Sequence, residues 1–279
     1  DRRVKLATIR TPNGTRAARV ESDHLVELGI EDVGALLRSA PDALEHAATV
    51  AGPEHAIDDA AYAPVILDPG KTICVGINYA DHVKEMGREP AEFPTLFAKF
   101  TDALIGAHDD IVLPSVSVAP DWEVELALVI GRPIRHADAA AAAHAIAGFT
   151  VANDVSMRDW QNRTPQWLQG KTFEHVTPVG PWLVTTDELG TADPDLEIVC
   201  EVDGVERQRS RTGQLIFGPT AVVAYISTFI TLRPGDLILT GTPSGVGFAM
   251  DPPVFLQPGQ IVRSRIETIG ELRNRCVAE

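Results

Sequence analysis

Asp121-Trp-Glu-Val-Glu-Leu-Ala-Leu-Val-Ile-Gly131 places two carboxylates, Glu123 and Glu125, two residues apart at the start of an apolar run. Residues two apart on a β-strand project from the same face. The spacing predicts that the two carboxylates stand side by side while Val124 and Leu126 point the other way. Crowded carboxylates repel unless a positive charge lies between them. A hard divalent cation that favours oxygen ligands, Mg²⁺, Mn²⁺ or Ca²⁺, meets that need. A sheet edge where both charges face water fits the same pattern.

Downstream, residues 137–147 read as an Ala-rich helix ended by Gly148, followed by the strand Phe149-Thr-Val-Ala-Asn-Asp154. That strand delivers Asp154 at its C-terminal end. Arg158 and Gln161 follow, then a polar loop carrying Trp160 and Trp167 that runs into Gly170-Lys171-Thr-Phe173, a segment of the kind that forms lids. Further on, the strand Asp236-Leu-Ile-Leu-Thr240 empties into Gly241-Thr-Pro-Ser-Gly-Val-Gly247. This loop lacks the Gly-Lys-Ser/Thr of a P-loop. Its backbone N–H groups suit an anionic group, with the Thr242 hydroxyl assisting.

Upstream, Lys71-Thr-Ile-Cys-Val75 reads as a strand, and Gly76-Ile-Asn-Tyr-Ala-Asp-His-Val-Lys-Glu-Met86 follows it, with Asp81 expected to cap a short helix. His82 and Glu85 are three apart and share a helix face. A His beside a carboxylate is a general-base arrangement; it is equally a surface pair on a solvated helix. Phe93-Pro-Thr-Leu-Phe-Ala-Lys-Phe100 is strand-like, with Lys99 a lone cation among apolar neighbours.

Residues 1–66 read as a small α+β module: a hairpin turning at Thr11-Pro-Asn-Gly14, a third short strand, and helices near 32–37 and 41–50. His24, His46 and His55 lack ligand-like companions and read as ordinary surface or packing residues. Residues 67–279 form the larger unit. Its last hundred residues are β-rich, with an Asp203-Gly204 hairpin turn, a helix over 219–229 and a final strand over 262–269.

The chain has 279 residues and a net charge of −15. Such an acidic chain is a poor nucleic-acid binder, because phosphate neutralisation needs Lys and Arg. Cys74, Cys200 and Cys276 are far apart and match neither a zinc site nor a disulfide framework, which fits a reducing cytoplasm. No membrane-spanning run or signal peptide is evident. The first residue is Asp1, so the native start is expected to lie upstream.

Taken together, Gly76-Ile-Asn-Tyr-Ala-Asp-His, Asp121-Trp-Glu-Val-Glu-Leu-Ala-Leu-Val-Ile-Gly, Asn153-Asp154-x-x-x-Arg158-Asp, Gly170-Lys-Thr-Phe and Pro234-Gly-Asp-Leu-Ile-Leu-Thr-Gly-Thr-Pro-Ser-Gly-Val-Gly247 resemble the fumarylacetoacetate hydrolase family. The motifs fall in the family's order over residues 70–270. The resemblance implies an α+β, β-rich fold: a mixed β-sandwich roll with a small N-terminal α+β domain, assembled as a homodimer. It implies a divalent cation, Mg²⁺ or Mn²⁺ with Ca²⁺ as a further option, on Glu123, Glu125 and Asp154. It implies catalytic roles for His82, Glu85 and Lys171, and substrate contacts at Arg158, Gln161, Gly241, Thr242 and Tyr79.

Asn78 stands where the founding branch has a fourth carboxylate ligand. That departure points away from fumarylacetoacetate and toward the bacterial branch with smaller substrates. The implied activity is hydrolysis of a C–C bond in a 2,4-dioxo acid of acylpyruvate or fumarylpyruvate type, in catabolism of aromatic or related compounds. The alternative is isomerisation or decarboxylation of a 2-oxo diacid, as in 2-hydroxyhepta-2,4-diene-1,7-dioate isomerase or an oxaloacetate decarboxylase. A non-catalytic acid-binding relative would be expected to lack Lys171, Glu123 or Asp154, and all three are present.

Overall fold

The computed structural model describes residues 3–87 and 89–279. The strand Val124–Ile130 lies inside a 12-stranded mixed sheet, antiparallel to Ile146–Asn153 on one side and Leu237–Leu239 on the other. All seven of its residues are buried. A strand buried on both faces reads as an unbroken apolar run, which is why the sequence here does not alternate. Leu126, Leu128 and Ile130 enter a core shared with Ile198, Cys200 and Leu272 of a five-stranded sheet. Ala127 and Val129 enter a second core with Leu36 and Leu37 of the helix Val33–Ser39. The larger sheet is thus covered by a second sheet on one face and by helices on the other. This is the mixed, β-rich sandwich expected from the sequence.

Glu125 has the same facing as Ala127 and Val129. It therefore points to the helix side of the sheet, at the end of the strand where the core gives way to a cavity. Glu123 lies just before the strand, and its carbonyl accepts the Asp154 N–H at 2.8 Å. The register, Val124 opposite Asn153, sets Asp154 directly across from Glu123.

The N-terminal residues extend the same sheet. Lys5–Thr11 pairs with Thr177–Thr185, with Lys5 opposite Val184, and with Gly14–Val20. The helix Val33–Ser39 is capped by Asp32, whose carboxylate accepts the Ala35 N–H at 2.6 Å and the Leu67 N–H at 2.9 Å. One side chain thus ties that helix to the segment leading into the larger unit.

Three local expectations change. Gly148 is not a helix cap: the helix Ala139–Ala145 gives way directly to the strand Ile146–Asn153, which contains Gly148. Its missing Cβ serves a close approach instead, since one there would sit 2.3 Å from the Val184 carbonyl oxygen. The expected final strand over 262–269 is two strands, Ile261–Ile266 and Gly270–Ala278, joined by a turn in which Thr268 has a φ of 62°. Asp81 lies inside the helix Ala80–Glu85, whose N-cap is Tyr79, and accepts the His82 N–H and the Ser244 hydroxyl. All three cysteines are buried and free. Among the described residues no helix is long and apolar enough to cross a membrane.

Candidate metal and substrate site

Glu123, Glu125 and Asp154 are buried and offer ligand oxygens that all lie within 4.8 Å of one another. The sheet-edge alternative, with both glutamates facing water, does not hold. Lys171 Nζ donates to Glu123 at 2.7 Å and to Asp154 at 2.8 Å. Lys99 Nζ donates to the other oxygen of Asp154, and both side chains are 0% exposed. Arg158 reaches Glu123 at 2.6 Å through Nη1.

Glu125 differs. Its hydrogen-bond partner is the Gly241 N–H at 2.7 Å, and among the described residues no cationic side chain pairs with it. Burial and the neighbouring Asp154 and Glu123 push its carboxyl well above the usual carboxylate range. Burial also pushes Glu123 upward, but Lys171 and Arg158 outweigh it and hold Glu123 low. Burial would lower Lys171, yet Asp154 and Glu123 keep its ammonium charged. A buried, undercompensated carboxylate among oxygen donors is the setting a hard divalent cation relieves, so the donor set fits Mg²⁺ or Mn²⁺.

A cavity of about 50 Å³ opens beside this cluster. That is room for a few waters, since one water needs on the order of 10–15 Å³ by this measure. Glu123, Glu125, Lys171, Arg158, Gln161 and Thr242 line it, and so does His82. His82 Nδ1 bonds Glu85 at 2.7 Å, and Glu85 also accepts the Gly245 N–H at 2.7 Å. The pair is thus clamped to the glycine-rich loop rather than solvated on a free helix face. Trp167, Phe97, Ile77 and Met86 supply apolar walls, and the Phe97 and Trp167 rings meet edge to face at 5.6 Å.

Arg158 donates through Nε to Asp121 at 2.8 Å and through Nη1 to Gln161 at 2.9 Å. Its Nη2 is buried without a hydrogen-bond partner among the described residues. Tyr79 is buried, its hydroxyl has no partner among the described residues, and it stands off the cavity wall. The Thr242 hydroxyl donates to the Val124 carbonyl and accepts from Gln208, so it holds the strand.

The glycine-rich loop does bind anions, but they are the protein's own. Gly241 N–H serves Glu125, Gly245 N–H serves Glu85, and the N–H groups of Gly247 and Phe248 serve Asp121 at 2.7 and 3.0 Å. Gly245 has a φ of 101°, and a Cβ there would fall 2.0 Å from the Arg207 carbonyl oxygen, so only glycine fits. Asp121 carries a role that no motif or spacing indicated. It is fully buried and anchors Arg158. Asp121→Ala should therefore destabilise the protein by about 3–5 kcal/mol, because it takes one of two carboxylates from a buried guanidinium and leaves the N–H groups of Gly247 and Phe248 without their acceptor. Urea unfolding checks this; a loss of a few tenths would remove the anchoring role. Lys99 was also missed. The signal was present, a lysine inside an apolar strand-like run, because a buried lysine needs a buried anion.

The fold and the carboxylate cavity define a known class. A model for the fumarylacetoacetate (FAA) hydrolase C-terminal domain matches residues 71–277. The chain belongs to the fumarylacetoacetate hydrolase family, whose members are enzymes acting on small acids. It is 48% identical over 214 residues to a mitochondrial oxaloacetate tautomerase, Fahd2a, of Rattus norvegicus, covering 76% of this chain and 68% of that protein. The structure of a fumarylacetoacetate hydrolase from psychrophilic Exiguobacterium antarcticum superposes with a TM-score of 0.88 at 32% identity, covering 99% of this chain and all, 100%, of that one. A 2-hydroxyhepta-2,4-diene-1,7-dioate isomerase from Mycobacterium marinum gives 0.81 at 35% identity, covering 99% of each chain.

Proposed function

We propose that this protein is a divalent-cation-dependent enzyme that interconverts the enol and keto forms of a small 2-oxo diacid of the oxaloacetate class. The observation that carries this reading is the meeting, at one small cavity, of Glu123 and Glu125, the second without a cationic partner among the described residues, with Arg158, whose buried Nη2 has no hydrogen-bond partner among them. The 48% identity to an oxaloacetate tautomerase supports the choice of a short diacid.

A cation on Glu123, Glu125 and Asp154 would polarise the 2-oxo group and stabilise charge on its oxygen. Arg158 and Gln161 receive a carboxylate of the acid, since an unpaired guanidinium nitrogen seeks an anionic acceptor. Lys171, kept charged by its two carboxylates, faces the oxygen on which enolate charge develops and stabilises it. His82, held through Nδ1, uses Nε2 to carry the proton between C3 and the 2-oxo oxygen, taking it from C3 and delivering it to the oxygen as the enol forms and reversing both transfers as the keto form returns, and Glu85 stabilises the imidazolium between the two. The apolar walls exclude bulk water.

The test is direct. Decay of enol oxaloacetate absorbance should accelerate with protein and Mg²⁺ or Mn²⁺. Turnover of 2,4-dioxo acids with none of oxaloacetate would overturn this reading. His82→Ala should lower kcat by about 10²–10⁴-fold while Mn²⁺ binding stays within about twofold; wild-type turnover would take His82 out of the mechanism.

The second reading is hydrolysis of an acylpyruvate, and the 2.7 Å His82–Glu85 contact favours it, because that dyad can also deprotonate an attacking water. The products would then be a carboxylic acid and a 2-oxo acid. We further propose a homodimer, a unit boundary between residues 66 and 67, and a reducing compartment, the cytoplasm or one like that of the mitochondrial relative.

A further inference from the structure

We propose that Ile77 is a specificity-determining residue: its side chain, carried on left-handed backbone, supplies bulk to the cavity wall and limits the size of the substituent the acid can carry. The inference rests on the small-acid reading above.

Ile77 has a φ of 57°. Crowding of the Cβ against the following carbonyl disfavours this region for every residue but glycine, and most of all for β-branched ones. Both of its neighbours are fixed. Gly76 lies beneath the Trp167 ring, so closely that a Cβ there would sit 2.3 Å from Cζ3. Asn78 is fully buried; its Nδ2 donates to the Phe217 and Thr240 carbonyls at 2.9 and 2.7 Å, and its Oδ1 accepts the Phe217 N–H at 2.9 Å. Ile77 must join these two pinned points, and the left-handed turn does so.

Core packing does not compensate the unfavourable backbone. Among the described residues, Ile77 belongs to neither hydrophobic core, and it is half-buried where it lines the cavity with Glu123 and Glu125. Glycine would satisfy the same turn without strain. What isoleucine adds is volume, and that volume goes to the cavity. Unfavourable backbone that persists beside reacting groups is characteristic of functional sites.

The test compares wild type with Ile77→Gly, Ile77→Ala and Ile77→Val. Binding is read by calorimetry with Mn²⁺ for two probes, oxalate and a phenyl-bearing 2,4-dioxo acid, and stability by thermal unfolding. Ile77→Gly should keep Tm at or above the wild-type value, because the substitution removes strain along with bulk. Ile77→Gly and Ile77→Ala should shift the affinity ratio toward the larger acid by about tenfold or more, as expected for opening a pocket by a few methyl groups. Ile77→Val should keep the wild-type ratio. An unchanged ratio in both truncated variants, or a Tm for Ile77→Gly several degrees lower, overturns the inference alone. A wild-type protein that binds neither acid overturns the functional reading and this inference with it.

Discussion

Excess EDTA should abolish turnover, and added Mg²⁺ or Mn²⁺ should restore it. The reason lies in the charge around Glu125, which is buried beside two carboxylates and, unlike them, has an amide N–H and no cationic side chain as its partner among the described residues. Glu125→Gln separates the cation's part from any general effect on folding. The amide keeps the shape and still accepts the Gly241 N–H, while removing one of three crowded charges. The cation-free variant should be at least as stable as cation-free wild type, yet fail to respond to the ion. Wild type at a Mn²⁺ concentration about 100-fold above its Kd should gain about 2.7 kcal/mol against unfolding. The variant should gain almost nothing and should be inactive. Full activity in excess chelator, or an unchanged Mn²⁺ response in Glu125→Gln, would remove the triad from the mechanism.

Lys171→Met should lower kcat by about 10²–10³-fold, the usual loss when one donor to developing oxyanion charge is removed. The same change should tighten Mn²⁺ binding, because Lys171 competes for Glu123 and Asp154 at 2.7 and 2.8 Å. It should also destabilise the cation-free protein by about 3–5 kcal/mol, since two buried carboxylates lose a partner, and the ion should recover part of that loss. The opposed signs, weaker catalysis with stronger ion binding, distinguish a catalytic ammonium from a structural one. Retained kcat would show that Lys171 only balances charge.

Much of the site was legible because strand geometry is rigid. Two carboxylates at i and i+2 share a face in any strand, and Asp154 at the end of the next strand falls opposite Glu123 by register alone. His82 and Glu85 followed from helical spacing, although the burial of His82 did not. What stayed hidden depends on contacts between distant parts of the chain. Lys99 and Asp154 are 55 residues apart, and Asp121 and Gly247 are 126 apart. No local periodicity reports such pairs. The turn at 267–269 was also missed, because Thr268 adopts a positive φ that its residue type does not advertise.

The family resemblance gave the family and left the reaction within it open. Hydrolysis, the first expectation, shares every group in the cavity with tautomerisation. The choice between them rests on relatives, which no motif encodes.

The amides of the loop after Leu239 carry one further consequence. A single short segment holds three separate groups: Glu125, the proposed ion ligand; Glu85, which orients the proposed proton carrier His82; and Asp121, which anchors the Arg158 guanidinium. A change there cannot adjust one group and spare the others. Drift in this segment is therefore all-or-none, and a descendant enzyme that acquired a new substrate would have to vary elsewhere. The segment carrying Trp167 and the corner at Ile77 touch the cavity without holding any of the three, so they are the parts of this molecule free to evolve.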